Sequence, residues 1–184
     1  CIAYANYHIQ AKTDEANIIV APSDHLILDE PGFLSTIGTA LRRADNTNVL
    51  VTLGIKPSRP DTGYGYIQFE DHKEEAAASV KQVKTFTEKP NLELAEKFLD
   101  SGDFYWNSGI FIWGLKSIQQ SFNTHLPDMT ALFETHKSQF ATDAEEDAIE
   151  TIYAQSENIS IDYGIMEKAQ NVDVVLSDFG WSDL

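Results

Sequence analysis

The sequence predicts an α/β protein in which a mostly parallel sheet is covered by helices on both faces. Two apolar runs, "NIIVA" at 17–21 and "NVLVTLGI" at 48–55, have the length and the residue types of buried strands. A helical segment at 31–44 lies between them, and this alternation is typical of α/β folds. With 184 residues, 42% of them hydrophobic, the chain is large enough to bury the core of one domain.

Local patterns and candidate caps predict the remaining elements. Asn91 and Ser160 have the residue type and position of helix N-caps. The predicted helices are at about 1–13, 31–44, 91–101, 115–124, 128–139, 143–154 and 160–169. The predicted strands are at 17–21, 48–55, the end of "TGYGYIQF" (62–69), "VKQVKTFTEKP" (80–90), 104–113, 172–177 and 179–184, and 22–31 is predicted to be a loop.

The stretch "FYWNSGIFIW" at 104–113 is apolar except at its centre. Asn107, Ser108 and Gly109 interrupt it, although residues of these types usually mark turns. A hairpin with a three-residue loop would have arms of only three or four residues. We therefore favour one buried strand with a polar interruption.

Composition excludes several classes of function. A formal net charge of −16 argues against a nucleic-acid partner, which requires a basic surface. No apolar run approaches the roughly 20 residues that cross a membrane, and no signal peptide is evident. The single cysteine, Cys1, excludes an internal disulfide, and a reducing cytoplasm is the expected location. An acidic protein that binds a phosphorylated small molecule would most simply recruit a divalent cation.

Two aspartates follow predicted strands at opposite ends of the chain. Asp24 comes just after the strand at 17–21, where open α/β sheets bind ligands. Asp183 shares a strand face with Phe179 and Trp181, which predicts a partly enclosed carboxylate. The alternative for Asp24 is a helix cap or an Asx turn, and the alternative for Asp183 is a helix cap or a salt bridge at the end of a strand.

Three further segments contain candidate ligand contacts. Gly65, in "TGYGYI", allows a ligand to approach the backbone closely, although a bulged strand is the alternative. Glu88 and Lys89 end a strand before Pro90, so both could reach one ligand, and a surface charge pair is the alternative. Lys168 lies four residues after Gly164 on a predicted helix face, where a surface lysine is the default interpretation.

Taken in order, "APSDH", "TGYGYI", "FTEKP", "WNSGIFIW", "SIDYGIMEKA" and "GWSDL" resemble the motifs of sugar-1-phosphate nucleotidyltransferases. Within that family the motifs are most similar to those of the bacterial mannose-1-phosphate guanylyltransferases. The resemblance implies a three-layer α/β/α, Rossmann-like nucleotide-diphospho-sugar transferase fold with a mixed central sheet. It implies mannose 1-phosphate and GTP as substrates and Mg²⁺ as cofactor. No nucleic-acid or membrane partner is expected, and a homodimer is possible.

The resemblance also assigns roles to the candidate residues. It implies that Asp24 and Asp183 bind the metal and are catalytic together with Lys89. The sugar phosphate would be bound by Gly65, Glu88, Lys89, Asn107 and, on the phosphate side, Lys168. Alternatives are a transferase for glucose 1-phosphate with dTTP or UTP, or a non-catalytic regulatory domain that binds sugar nucleotides. Presence of both aspartates argues against the regulatory domain.

The sequence departs from the family at its start. The glycine-rich G-G-x-G-x-R-L loop that binds the nucleotide phosphates is not in this chain. We expect residues 1–184 to be the central and C-terminal part of a single nucleotidyltransferase domain, incomplete at the N-terminus. We also expect this chain alone to be inactive and to bind GTP poorly.

Overall fold

A computed structural model describes residues 1–45, 47–70 and 79–183. The described helices are α1 (Ile2–Gln10), α2 (Glu30–Ala44), α3 (Leu92–Ser101), α4 (Leu115–His125), α5 (Pro127–Thr135) and α6 (Glu145–Gln155). The described strands are β1 (Asn17–Val20), β2 (His25–Ile27), β3 (Leu50–Ile55), β4 (Tyr66–Phe69), β5 (Val80–Thr87), β6 (Phe104–Gly114), β7 (Val172–Ser177) and β8 (Trp181–Asp183). A short 3-10 turn at Lys137–Gln139 and a π-helical turn at Asp162–Met166 complete the described elements. None of the helices in these ranges is long and apolar enough to cross a membrane.

Six strands form one mixed sheet in the order β1-β6-β3-β7-β5-β4, and β4 also pairs with the start of β6. Within the described part of the chain β3 and β7 are parallel, whereas the other pairs of this sheet are antiparallel. The expectation of a mostly parallel sheet is therefore wrong, and the mixed sheet implied by the family resemblance is confirmed. The long strand β6 causes the difference, because it runs antiparallel to both β1 and β3.

Helices cover both faces of this sheet, which confirms the three-layer arrangement. On one face α1, α4, α5 and α6 bury a core that includes Tyr7, Phe122, Phe133 and Ile152. On the other face α2 and α3 pack a second core against β3, β4 and β6, with Ile37, Ala40 and Ala95 buried. Burial on both faces explains why β3 reads as a continuous apolar run.

Two helix starts are set by the residues that precede them. The side chain of Asp29 accepts the backbone N–H of Gly32, and Pro31 supplies a backbone angle suited to the first turn of α2. The side chain of Asn91 accepts the N–H of Leu94 at 3.0 Å, which confirms the predicted cap of α3. Caps of this kind contribute about 1 kcal/mol each. Ser160 Oγ accepts the N–H of Tyr163 at 3.3 Å, as expected for a cap, but only a single π-helical turn follows it.

Several predicted boundaries are wrong. The segment predicted to be a loop at 22–31 contains β2, which pairs antiparallel with β8 in a separate two-stranded sheet. The last strand begins at Trp181 because Gly180 has a φ of +61°, and Leu184 lies outside the described residues. The helix predicted at 128–139 ends at Thr135, before the 3-10 turn.

The polar interruption of β6 is a bulge, and the single-strand prediction for 104–113 is confirmed. Thr52 pairs with Phe111, but Gly54 pairs with Asn107, so β6 has two more residues than β3 over this interval. Gly109 takes a φ of +72°, a backbone conformation that glycine adopts without strain. The bulge therefore breaks the strict alternation of side chains along β6 at its polar centre.

Candidate active site

Most of the predicted site residues lie at one edge of the sheet. Because β6 is antiparallel to both β1 and β3, and β7 is parallel to β3, the carboxyl ends of β1, β3 and β7 point the same way. Asp24 follows β1, and Asp183 follows β7. Ligands of open α/β sheets bind outside this edge.

Pairing of β2 with β8 brings the two aspartates together. His25, directly after Asp24, is the cross-strand partner of Asp183. Both aspartates are exposed, so the expectation of an enclosed Asp183 is wrong. Phe179 is buried before the turn at Gly180 and is not on β8, which removes the shared face on which that expectation depended.

Aromatic side chains support Asp183. The hydroxyl of Tyr64 donates to Asp183 Oδ1, and the Tyr64 ring lies 5.0 Å from Trp106 and 5.3 Å from Trp181, between ring centroids. Burial, together with the bond to Asp183, raises the pKa of Tyr64 to about 12, so its phenol is protonated at neutral pH. The indole of Trp181 bonds to His25 Nδ1 at 3.1 Å, which ties β8 to β2 beside Asp24.

Glu88 provides a buried acceptor. It follows the end of β5, and its side chain is only 10% exposed. Its Oε2 atom has no hydrogen-bond partner among the described residues. Burial raises the pKa of Glu88, and the nearby Asp162 raises it further, while Lys89 opposes both effects.

Lys89 provides an exposed cation next to that acceptor. Its Nζ lies 3.7 Å from Glu88 Oε1, and 59% of its side chain is exposed. Lys89 has a φ of +47°, a conformation that costs a non-glycine residue on the order of 1 kcal/mol. The sharp turn here agrees with the prediction that the strand ends before Pro90, so that both Glu88 and Lys89 can face one ligand.

Gly65 forms the wall against which Glu88 lies. A Cβ atom at position 65 would be 2.4 Å from Glu88 Oε2 and 3.3 Å from the Cβ of Asn107. The carbonyl of Gly65 also accepts the backbone N–H of Asn107 at 2.8 Å. The absence of a side chain at Gly65 therefore leaves the room that the Glu88 carboxylate occupies.

Asn107 is buried and held on several sides. Its Oδ1 accepts the hydroxyl of Thr52 at 3.0 Å and the backbone N–H of Gly109 at 3.2 Å. Its Nδ2 donates to Asp162 Oδ1 at 2.9 Å. We call Gly65, Glu88, Lys89, Asn107 and Asp162 the Glu88 cluster.

Asp162 is the member of this cluster that the sequence analysis missed. It begins the π-helical turn, and burial raises its pKa, although its bonds to backbone and to Asn107 act in the opposite direction. Glu167 lies close by, and its carboxylate accepts the backbone N–H of Glu88 at 2.9 Å. The motif "SIDYGIMEKA" was the available signal, but an Asp in a first helical turn is ordinarily explained by the helix dipole.

Lys168 lies in different surroundings. Its side chain is exposed, and its charge contributes to the lowered pKa of His125 at the end of α4. A Cβ at Gly164 would meet Leu126 Cδ1 at 3.1 Å, so Leu126 packs against Gly164 on this turn. A phosphate contact for Lys168 stays a prediction.

Two larger concavities lie elsewhere on the protein. A cavity of about 490 Å³ opens between α1, α4, α5 and residues 156–161, and its walls are mainly apolar. A groove of about 600 Å³ lies at the start of α4, near Asp14 and Asp45. We favour the Glu88 cluster as the ligand site, because it combines a buried unpartnered acceptor with an adjacent cation.

The donor set for a cation is incomplete without a ligand. Within 1–45, 47–70 and 79–183, no group of three or more His, Cys, Asp or Glu side chains could hold a metal ion. Asp24 and Asp183 are two carboxylates at one edge. Mg²⁺ is commonly held by one or two carboxylates together with water and substrate phosphates, so these two residues fit it as partial ligands.

A mixed sheet between two helical layers, with acidic residues at the carboxyl ends of its strands, is the arrangement of α/β proteins that bind ligands at that edge. A family model described as Nucleotidyl transferase matches residues 1–184, and the chain belongs to this family.

Curated relatives include a mannose-1-phosphate guanylyltransferase of Sinorhizobium fredii, 38% identical over 93% of this chain and 33% of the relative. A protein of the same name from Escherichia coli is 33% identical over 100% of this chain and 40% of the relative. This chain therefore spans about a third of the length of these relatives.

Solved structures show the same fold. A crystal structure described as mannose-1-phosphate geranyltransferase from Thermus thermophilus superimposes with a TM-score of 0.83 at 31% identity, over 98% of this chain and 50% of that one. A structure described as mannose-6-phosphate isomerase from Helicobacter pylori gives a TM-score of 0.80 at 28% identity, over 98% of this chain and 70% of that one.

Proposed function

We propose that this chain is the sugar-phosphate-binding and metal-binding part of a mannose-1-phosphate guanylyltransferase. The whole protein would transfer a guanylyl group from GTP to mannose 1-phosphate, giving GDP-mannose and pyrophosphate. The observation that carries the proposal is the buried, unpartnered Oε2 of Glu88, which lies against Gly65 and beside the exposed cation of Lys89. The names of the relatives at 33–38% identity supply the choice of sugar and nucleotide.

Two residues of the cluster would contact the sugar phosphate in this reaction. A sugar hydroxyl would donate to Glu88 Oε2, because a buried carboxylate oxygen without a partner binds a donor strongly. Lys89 would pair with the sugar phosphate as a point charge. The cluster would thereby fix the sugar phosphate so that one of its phosphate oxygens faces the α-phosphorus of GTP. In-line attack of that oxygen forms the new P–O bond while the bond to pyrophosphate breaks.

Asp24 and Asp183 would hold Mg²⁺ at the edge of the sheet next to this cluster. When bound, the ion would neutralise charge on the phosphates in the transition state. Substrate phosphates and water would supply the ligands that two carboxylates do not provide. Rate enhancement then comes from positioning and charge neutralisation, and the reaction requires no covalent enzyme intermediate.

Isothermal titration of the chain with mannose 1-phosphate and with glucose 1-phosphate, each with and without Mg²⁺, tests the proposal. We expect mannose 1-phosphate to bind more tightly than glucose 1-phosphate. Glu88→Ala or Lys89→Ala should weaken the binding of mannose 1-phosphate by about 10-fold to 100-fold, the range for a charged hydrogen bond. Lys84→Ala is the matched control, since it removes an exposed lysine from the same strand. Equal affinity for both sugar phosphates, or equal losses in all three variants, would contradict the proposal.

A further inference from the structure

The orientation of the Asn107 side chain is determined by partners of opposite character. Gly109 offers a backbone N–H, which can only donate, and it faces Oδ1 at 3.2 Å. Asp162 offers a carboxylate, which accepts when ionised, and it faces Nδ2 at 2.9 Å. Thr52 cannot decide between the two orientations, because a hydroxyl both donates and accepts. The ionised carboxylate of Asp162 therefore fixes the N–H end of the amide.

Two polar groups of the Glu88 cluster are left over when this network is complete. One is Glu88 Oε2, which has no partner within the described residues. The other is the second N–H of Asn107 Nδ2, because only the bond to Asp162 is formed there in the described part of the chain. The side chains of Glu88 and Asn107 both adjoin the position that a Cβ at Gly65 would occupy. The cluster thus offers one acceptor and one donor to a ligand, a combination that suits hydroxyl groups.

Asp162 occupies this position at an energetic cost. Burial is the main reason that its pKa is raised, and the carboxylate of Glu167 adds to the effect. Glu88 lies close enough that Asp162 raises the Glu88 pKa as well, and Lys89 is the cation that offsets part of this repulsion. A second buried carboxylate would be unfavourable for folding alone, which points to a role in the site.

We propose that Asp162 is a positioning residue that orients the Asn107 amide and so determines which hydroxyl arrangement the Glu88 cluster selects. Reversal of the amide would place a carbonyl oxygen where the free N–H now is. Two acceptors would then face the ligand, and a hydroxyl could no longer accept there. The choice of a sugar phosphate as ligand depends on the proposed function, whereas the orientation of the amide does not.

The side-chain amide signals of Asn107 in ¹⁵N-resolved NMR spectra test the orientation without any ligand. They are assigned by their loss in Asn107→Asp. We expect these signals to shift with pH as Asp162 titrates. This pH-dependent shift should be lost in Asp162→Asn and should persist in Glu88→Gln. The Glu88→Gln variant separates Asp162 from the neighbouring carboxylate. The same pH dependence in Asp162→Asn as in the unmodified chain would overturn the proposal.

Ligand selection is tested by titration with mannose 1-phosphate and glucose 1-phosphate. In Asp162→Ala we expect affinity for mannose 1-phosphate to fall at least 10-fold and the ratio between the two ligands to approach one. Asp162→Asn keeps an acceptor at the same place, so its affinity should stay within about 3-fold. Asp100→Ala, an exposed aspartate on α3, is the control and should change neither value.

The NMR and titration experiments distinguish failure of the positioning role of Asp162 from failure of the proposed function. Equal weakening of both ligands in Asp162→Ala would overturn the role in selection. If the unmodified chain binds neither sugar phosphate, the proposed function fails, while the Asn107 signals still decide the positioning role. If Asp162→Ala does not fold, the Asp162→Asn and Glu88→Gln spectra decide it, since both substitutions conserve volume.

Discussion

The backbone carbonyl of Gly65 accepts the N–H of Asn107 at 2.8 Å, so β4 and the bulge of β6 are joined where Glu88 lies. This bond brings a glycine, an amide and a buried carboxylate from three separate segments to one place. The bulge gives the core strand its polar centre, because it directs Asn107 toward Thr52 and Asp162 instead of along a regular ladder.

Gly65→Ala should reduce binding of mannose 1-phosphate by at least 10-fold. The added methyl would lie 2.4 Å from Glu88 Oε2, so the carboxylate must move away from the position in which we propose that it accepts a ligand hydroxyl. Gly63→Ala is the control, because its methyl would meet only Asp61 Oδ1, at 3.1 Å, on a side chain that can shift. Titration calorimetry on both variants measures the difference. Equal affinities would show that Glu88 does not contact the ligand.

Glu88→Gln should stabilise the fold at neutral pH while it weakens ligand binding. The folded-state pKa of Glu88 is raised, so its favourable contribution is present below its unfolded pKa and is lost as pH rises through the folded value. Above the folded-state pKa the unmodified protein contains a buried charge that glutamine lacks, so the free energy of unfolding should be higher for Glu88→Gln there.

Urea unfolding of this variant and the unmodified chain at several pH values tests that sign. The stability advantage of Glu88→Gln should disappear in acid, where the Glu88 side chain is protonated in both the folded and the unfolded protein. Glu93→Gln is the control, since Glu93 is exposed on α3. An advantage that grows as the pH falls would contradict the assignment of a raised pKa.

Local sequence patterns predicted most of the elements but not their pairing. The run at 48–55 is strand β3, with all residues from Leu50 to Ile55 buried. Strand direction depends on β6, whose partners β1 and β3 lie far away in the chain, so local periodicity could not reveal an antiparallel arrangement. The three-residue strand β2 was missed because its partner, β8, lies near the other end of the chain.

Part of the candidate site could be predicted, at positions where residue type and motif agreed. Gly65, Glu88 and Asn107 were expected from the family resemblance, and the structure brings them together. Asp162 was missed because a regular helix at 160–169 explained it as a first-turn acidic residue. The actual π-helical turn places it against Asn107, and no spacing rule for an α-helix describes that contact.

Gly54→Ala should destabilise the centre of the sheet by about 1–3 kcal/mol, the usual cost of overpacking. A methyl there would lie 2.7 Å from Val174 Cγ2 and 3.2 Å from Tyr105 Cβ, and both neighbours are on strands that cannot move freely.

Gly38→Ala is a matched substitution within α2, where the methyl would meet only Arg42 Nη1, at 3.5 Å. It should stabilise the protein by about 0.5–1 kcal/mol, because alanine favours helices. Chemical denaturation of the two variants should therefore give shifts of opposite sign.

Tyr64→Phe should weaken Mg²⁺ binding in the presence of mannose 1-phosphate by about 10-fold, the usual effect of losing a group that orients a metal ligand. The substitution removes the donor to Asp183 Oδ1 and keeps the ring that packs on Trp106 and Trp181. Because the pKa of Tyr64 is raised to about 12, the phenol is a donor throughout the neutral range, and the effect should not depend on pH there.

Tyr66→Phe is the matched control, since its hydroxyl accepts the backbone N–H of Asp61 and does not bond to Asp183. Calorimetric titration with Mg²⁺ distinguishes the two. If Mg²⁺ affinity falls as much in Tyr66→Phe as in Tyr64→Phe, the tyrosine hydroxyls support the fold of 59–66 and the role of Tyr64 at the metal is contradicted. A loss confined to Tyr64→Phe would place Asp183 at the metal.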